Sequence, residues 1–407
     1  MKNKVGRMRK KRVTDMDVAN KRVLVRVDFN VPKDRDGYIT DDTRIRATLP
    51  TINRLREQKA RIILLSHLGR PKGQVVDSLR LASVARRLEE LLDRPVLYVQ
   101  DDDWNDVGAR LAGIKPGEVA LVENIRFHSG EERNDPELSR ILAGLGDVFI
   151  NDAFGVSHRA HASTVGVAQL LPSAAGLLLT HEIEMLSRAV KEPERPFVAL
   201  IGGAKVSDKI GVIKNLLLLA DAVLVGGGMA NTFLLSKGHP MGLSLVEEDK
   251  LDEAQSILEQ AMELGRQLVL PEDLVVAAEF SPAAARQTVA VDAVPDDWSA
   301  LDIGEKTVEI FAEYIARART VVWNGPVGVF ELEPFAEGTE AMAVAVSQCP
   351  GTTIVGGGDS IAALEKLGLT DRVTHVSTGG GASLEFLEGR ELPGIAVLDD
   401  VESGDGG

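Results

Sequence analysis

Short apolar, β-branched runs bounded by turn residues recur along this chain, and each leads into a stretch whose apolar residues follow helical spacing. Arg22-Val23-Leu24-Val25-Arg26-Val27 and Arg61-Ile62-Ile63-Leu64-Leu65 are the first two runs, and between them Ile45, Leu49, Ile52 and Leu55 mark one helix face. Strand, helix, strand in that order predicts parallel neighbours joined by a right-handed crossover. Further runs end at Leu121-Val122 and Val148-Phe149-Ile150, so the first half reads as one parallel sheet. The second half repeats the architecture without repeating the sequence, with strands expected at 197–201, 222–225, 267–270, 320–323, 352–355 and 375–377. The fold class is α/β. In such sheets ligands gather beyond the carboxyl ends of the strands, and most of these runs exit into Gly, Asn or charged residues.

Length then sets the number of cores. A chain of 407 residues exceeds what one core organises and suits two domains of about 200 residues each. Ile183, Leu186 and Val190 recur at helical spacing before Pro193 and Pro196, which places an interdomain helix over 180–196. The first domain is accordingly 1–180 and the second 181–392. No low-complexity linker separates them, and only the acidic, Gly-containing end 401–407 reads as disordered.

Charge divides the same way. The chain carries -15 overall, yet residues 1–180 hold 30 Lys+Arg against 24 Asp+Glu, whereas the rest hold 16 against 37. A basic domain attracts a small anion, while an acidic whole argues against nucleic acid and anionic membranes as partners. Arg9-Lys10-Lys11-Arg12 contributes to the basic excess and reads as a solvated, frayed terminus. Cys349 is the single cysteine and has no internal partner, and no early apolar run has signal-peptide or membrane-spanning length. The expected compartment is cytoplasmic.

Phosphate-handling chemistry is concentrated in the second half. Gly202-Gly203-Ala204-Lys205-Val206-Ser207-Asp208-Lys209 follows a strand, and its two lysines, four apart, can share a helical face toward a polyphosphate. The spacing is not that of a Walker A loop, and a plain strand-to-helix turn with solvated lysines is the competing interpretation. Gly356-Gly357-Gly358-Asp359-Ser360 runs from a strand into a helix whose free N–H groups favour phosphate; Asp359 can hold magnesium, or Asp359 or Ser360 can simply cap the helix. Ser377-Thr378-Gly379-Gly380-Gly381 repeats the arrangement, and Val225-Gly226-Gly227-Gly228 adds a fourth glycine cluster. Neither triple-glycine segment completes G-x-G-x-x-G, so a mononucleotide fits better than a dinucleotide. Trp323-Asn324-Gly325-Pro326 is a polar strand exit, followed by Glu331 as a candidate ribose acceptor.

The first half delivers cations at its strand exits. Asp28-Phe29-Asn30 ends the first strand and Arg44 opens the next helix; Ser66-His67-Leu68-Gly69-Arg70, Asn124-Ile125-Arg126 and His158-Arg159 follow later strands. Arginine binds carboxylate and phosphate bidentately, so arginines gathered at one sheet edge describe a receptor for a small, multiply charged acid. Each arginine alone reads first as a solvated face, and His67 as a competing structural hydrogen bond; the repeated placement carries the argument.

Taken in order, RVDFNVP, DDTRIRA, SHLGRPKG, ENIRF, NDAFGVSHRAHAS, GGAKVSDK, VVWNGPVGVFE, GGGDS and STGGGASLEFL resemble the phosphoglycerate kinase family over about Val13 to Ile395. The resemblance implies two Rossmann-like parallel-sheet domains with a cleft and hinge between them, the first for phosphoglycerate, the second for nucleotide, and a terminal segment 393–407 that returns to the first. It also implies a monomer that moves a phosphoryl group between 1,3-bisphosphoglycerate and ADP, giving 3-phosphoglycerate and ATP, with Mg2+ accompanying the nucleotide. A catalytically silent nucleotide-binding scaffold on the same fold is the alternative. Carried over by motif, Asp28, Asn30, Arg44, His67, Leu68, Gly69, Arg70, Arg126 and Arg159 resemble the triose-binding set, with Arg44 best placed for the transferring group. Lys205, Lys209, Asn324, Glu331, Gly357, Gly358, Asp359 and Ser360 resemble the nucleotide set, Asp359 holds the metal, and Gly380 starts the second helix facing the transferred group. Arg44, Lys205, Gly357 and Gly380 form the implied catalytic group. Members usually have Met-Gly where this chain has Ser299-Ala300, so Ala300 is a nucleotide contact with an added methyl, strained if its backbone needs positive φ. Asn231 and Ser83 also depart from the family pattern.

Overall fold

A computed structural model describes residues 9–100 and 104–401. The chain divides into two compact units, one running to Ile183 and resumed from Glu391, the other Glu184–Arg390. Among the described residues no helix is long and apolar enough to cross a membrane.

The first unit is built on a six-stranded sheet of β1 (Arg22–Arg26), β2 (Arg61–Leu65), β3 (Val96–Val99), β4 (Val119–Val122), β5 (Val148–Asn151) and β6 (Ser173–Ala175). Their order is β3-β4-β2-β1-β5-β6, and every pairing is parallel. Helices on both faces explain why β1 and β2 read as continuous apolar runs: Val23, Leu24, Val25, Ile62, Ile63 and Leu64 are all fully buried. Burying each such side chain contributes roughly 1.5–3 kcal/mol. The helix Thr43–Glu57 joins β1 to β2 and turns Ile45, Ile52 and Leu55 inward, as the spacing predicts.

The basic run Arg9 to Arg12 is not frayed. Lys11 N–H donates to Asp399 O and Ala175 N–H to Lys11 O, at 2.8 and 2.9 Å, while Val401 N–H donates to Arg9 O at 2.8 Å. The run is thus paired along its backbone on both sides, beyond β6 and against the returning C-terminal segment. Lys10 adds hydrogen bonds from Nζ to the carbonyls of Ala396 and Leu398 and an ion pair with Asp400 at 2.9 Å. These charged side chains conceal a strand-like role that the backbone performs. The disorder expected for 401–407 fails at Val401, and 402–407 lie outside the described residues.

The second unit holds another all-parallel sheet and one layer the sequence pattern did not announce. β7 (Phe197–Ile201), β8 (Ala222–Val225), β9 (Gln267–Val269), β13 (Thr320–Asn324), β14 (Thr352–Gly356) and β15 (His375–Val376) form the order β15-β14-β13-β7-β8-β9. Between β9 and β13 the chain forms β10 (Asp273–Ala277), β11 (Arg286–Ala290) and β12 (Ser299–Ile303), an antiparallel sheet ordered β11-β10-β12. The helix expected over 180–196 spans Leu177–Lys191; its first turn is held by Thr51 Oγ1, which accepts from Leu177 N–H, and by Asp152 Oδ1, which accepts from Leu179 N–H.

Candidate active site

In the first unit the exits of β1, β2 and β4 bring the expected residues together. Asp28 Oδ2 accepts from Arg44 at 2.9 Å, and Asn30 Oδ1 accepts from Gly69 N–H at 2.8 Å. Gly69 sits at φ +64, and a Cβ there would lie 2.7 Å from a Leu79 methyl, so only glycine makes this turn without displacement. Asn124 organises the next exit: its Oδ1 accepts from Arg126 N–H and its Nδ2 donates to Leu68 O. Arg126, 7% exposed, then donates to Gly69 O at 2.9 Å. Arg70 is exposed and makes no hydrogen bond or ion pair among the described residues, whereas exposed Arg159 donates from Nε to His158 Nε2 at 3.1 Å.

A residue treated in the sequence only as part of a strand lies beneath this group. Arg26 is fully buried; its Nε donates to Ser163 Oγ at 2.8 Å, one terminal nitrogen donates to Val27 O, and the other lies 3.1 Å from His67 Nδ1. Ser163 in turn donates from Oγ and N to the two oxygens of Glu131, which is also fully buried. An arginine cannot accept, so His67 Nδ1 must, which leaves the His67 proton on Nε2. Burial pushes the His67 pKa well below its ordinary value, against the pull of Asp28 and with the help of Arg26, Arg126 and Arg44. His67 is therefore neutral, with Nε2–H as the donor it can offer. Burial penalises the Asp28 carboxylate, but Arg44, Arg26 and the Asn30 N–H oppose it and hold the Asp28 pKa below the usual range. The group thus combines buried Arg26, His67 and Arg126 with the more exposed Arg44, Arg70 and Arg159.

In the second unit the exits of β7, β8, β13 and β14 surround a cavity of about 560 Å3 whose lining includes Gly203, Gly227, Ala300, Glu331 and Asp359. Ala300 lies in β12 opposite Val276 and is not among the described residues with positive φ. Its methyl therefore brings no backbone strain. Gly357, at φ +92, precedes the helix Gly358–Lys366, and Gly380, at φ +44, precedes Gly381–Leu387. Ser360 Oγ accepts from Gly325 N–H at 2.8 Å, tying the first of these helices to the β13 exit.

Lys205 and Lys209 do not share a helical face. The helix starts only at Ile210; the residues before it form turns, leaving Lys205 exposed and Lys209 buried. Lys209 Nζ donates to Gly202 O, Asn324 O and Asn324 Oδ1 at 2.6, 3.1 and 2.8 Å. Burial lowers its pKa to about 8 against the opposing pull of Asp208 and Asp359. Asn324 thus turns its amide oxygen onto Lys209, and its buried Nδ2 has no protein partner. Among the described residues no three His, Cys, Asp or Glu side chains gather into a metal cage. Magnesium is commonly held by one or two carboxylates plus phosphate oxygens and water, and exposed Asp359 at the cavity wall fits that role.

Comparison with known proteins matches this architecture. The family model for phosphoglycerate kinase aligns with residues 13–390. Phosphoglycerate kinase of Moorella thermoacetica is 60% identical over 393 residues, covering 97% of this chain and 100% of that protein. The enzyme of Roseiflexus castenholzii is 57% identical over 396 residues with the same coverage. Among solved structures, phosphoglycerate kinase from Coxiella burnetii superposes with a TM-score of 0.87 at 46% identity, covering 96% of this chain and 98% of that one. The Pyrococcus horikoshii enzyme gives 0.84 at 36%, covering 95% and 98%. With a family match over nearly its whole length and relatives this similar, the chain belongs to the phosphoglycerate kinase family.

Proposed function

We propose that this chain transfers a phosphoryl group reversibly between 1,3-bisphosphoglycerate and ADP, giving 3-phosphoglycerate and ATP. The bond from phosphorus to the carboxyl oxygen breaks, a bond to a β-phosphate oxygen of ADP forms, and the carboxylate leaves with the electron pair. No general acid is needed, because that leaving group is already a weak base. Catalysis then rests on alignment and on neutralising charge on the equatorial oxygens.

In this reading the first unit is the phosphoglycerate-binding domain. Asp28, Asn30, His67, Leu68, Gly69, Arg70, Arg126 and Arg159 hold the acid, His67 as a neutral Nε2–H donor, and Arg44 meets the transferring group. The second unit is the nucleotide-binding domain. Glu331 takes the ribose, Ala300 packs on the base, Lys205 and Lys209 take phosphate with Asn324 presenting Lys209, and Gly357, Gly358, Ser360 and Gly380 supply helix starts. Asp359 would hold the magnesium that accompanies the nucleotide, which would supply neutralisation of phosphate charge. Donor and acceptor must come into line, so the proposal includes a hinge closure that joins the ligands and excludes water from the acyl phosphate. A cytoplasmic monomer is the form proposed.

The observation that supports the reading is the buried Arg26 and His67 with partly exposed Asp28 beside Arg44, an arrangement suited to a compact anion. A coupled assay with 3-phosphoglycerate and ATP tests it. Magnesium-dependent ADP release that requires the acid is expected, and a silent scaffold would give none.

A further inference from the structure

Three large apolar residues that most chains would bury, Leu243, Leu245 and Phe280, are 67%, 49% and 63% exposed, and all three line the same cavity in the second unit. Together with Ala300 and Val329 they make apolar walls suited to a flat ring. On this lining stands one amide, Asn231, 2% exposed. Its Nδ2 donates to Leu245 O at 3.2 Å. That bond fixes which way the amide points, since the reverse orientation would set two acceptors against each other. Oδ1 accepts no hydrogen bond among the described residues and is not sealed off among the buried polar atoms that lack a partner. Of the other polar side chains on this lining, Asp302 accepts from Ile303 and Gly338 N–H, Ser299 Oγ spends its proton on Leu243 O, and Glu331 and Asp359 are assigned above to ribose and magnesium.

We infer that Asn231 is a specificity-determining residue that selects bases bearing an exocyclic amino group, by presenting a fixed acceptor, Oδ1, on the wall of the base cavity. The inference rests on the proposed binding of a nucleoside diphosphate in that cavity. A base without such a donor leaves Oδ1 desolvated and unpaired, and the amide cannot turn to help without breaking its bond to Leu245.

The test is titration calorimetry of the full chain with ADP and with purine riboside 5′-diphosphate, which lacks only the amino group. Phosphate and ribose contacts cancel in the ratio. ADP is expected to bind about tenfold more tightly, and Asn231→Leu is expected to bring the two affinities close together. A wild-type ratio near one, a ratio unchanged in Asn231→Leu, or no binding of either nucleotide would overturn the inference. The wild-type comparison requires no variant to fold. Turnover is read separately: selective binding without phosphoryl transfer would sink the kinase reading and leave Asn231 standing, while transfer with unselective binding would do the reverse.

Discussion

Replacing Arg26 with Met removes a buried guanidinium while keeping the apolar stem of the side chain. Glu131 is fully buried, and Arg26 is the first of the charges that favour its ionised form; burial itself pushes its pKa up. Breaking a buried pair by removing one partner costs about 3–5 kcal/mol, because the charge left behind cannot rehydrate. Two features place Arg26→Met near the lower end: Glu131 keeps both hydrogen bonds from Ser163, and Arg26 itself lies under a burial penalty that brings its pKa to about 10. The expected loss is therefore about 3 kcal/mol at neutral pH. Adding Glu131→Gln should recover about 1–2 kcal/mol of it, since no uncompensated charge then remains and the amide still accepts from Ser163. The pH dependence has a definite sign. A carboxyl whose folded pKa is raised contributes fully below its unfolded value and loses that contribution as pH rises through the folded value, so the Arg26→Met penalty should shrink as pH falls toward the ordinary Glu range. Denaturant unfolding followed by probes in the first unit measures these values. Strictly additive effects of the two substitutions, or a loss below about 1 kcal/mol, would refute the argument that this pair is buried and coupled.

Arg44→Ala should lower turnover by on the order of 10³ or more while Arg110→Ala, at a side chain that donates to Gln100 O, leaves it near normal; initial rates under saturating substrates decide. ADP affinity should weaken as pH rises through about 8, the value to which burial lowers Lys209, because the neutral amine no longer attracts phosphate, and Lys209→Met should flatten that step. Ala300→Gly should cost up to about 1 kcal/mol of stability rather than relieve strain, since the residue is extended in β12; thermal unfolding distinguishes gain from loss.

The central parallel strands were legible because they are covered on both faces and so appear as unbroken apolar runs, as at Ile62 to Leu65, whereas the short strands β3, partly exposed at an edge, and β6, made of small residues, gave no such run. The antiparallel layer was not, because an edge strand such as Arg286–Ala290 is largely exposed and its polar composition resembles a loop. Backbone pairing beyond β6 left no apolar signature either, and the charged run there was mistaken for a frayed end. Spacing alone put Lys205 and Lys209 on one face, but helical spacing has meaning only once a helix has begun, and turns occupy that segment. The anion-binding candidates were visible as strand exits. Arg26 and Glu131 were not, since their coupling depends on a contact between β1 and a distant loop that no local pattern encodes. Ala300 shows the converse: its substitution was visible, but whether it strains the chain depended on a backbone conformation only the structure supplies.

The most direct test of phosphoryl transfer to a carboxylate is chemical trapping of its product. With ATP, magnesium and 3-phosphoglycerate, hydroxylamine should convert the acyl phosphate to a hydroxamate in one-to-one proportion with the ADP released. ADP formed without the acid, or without matching hydroxamate, would contradict it.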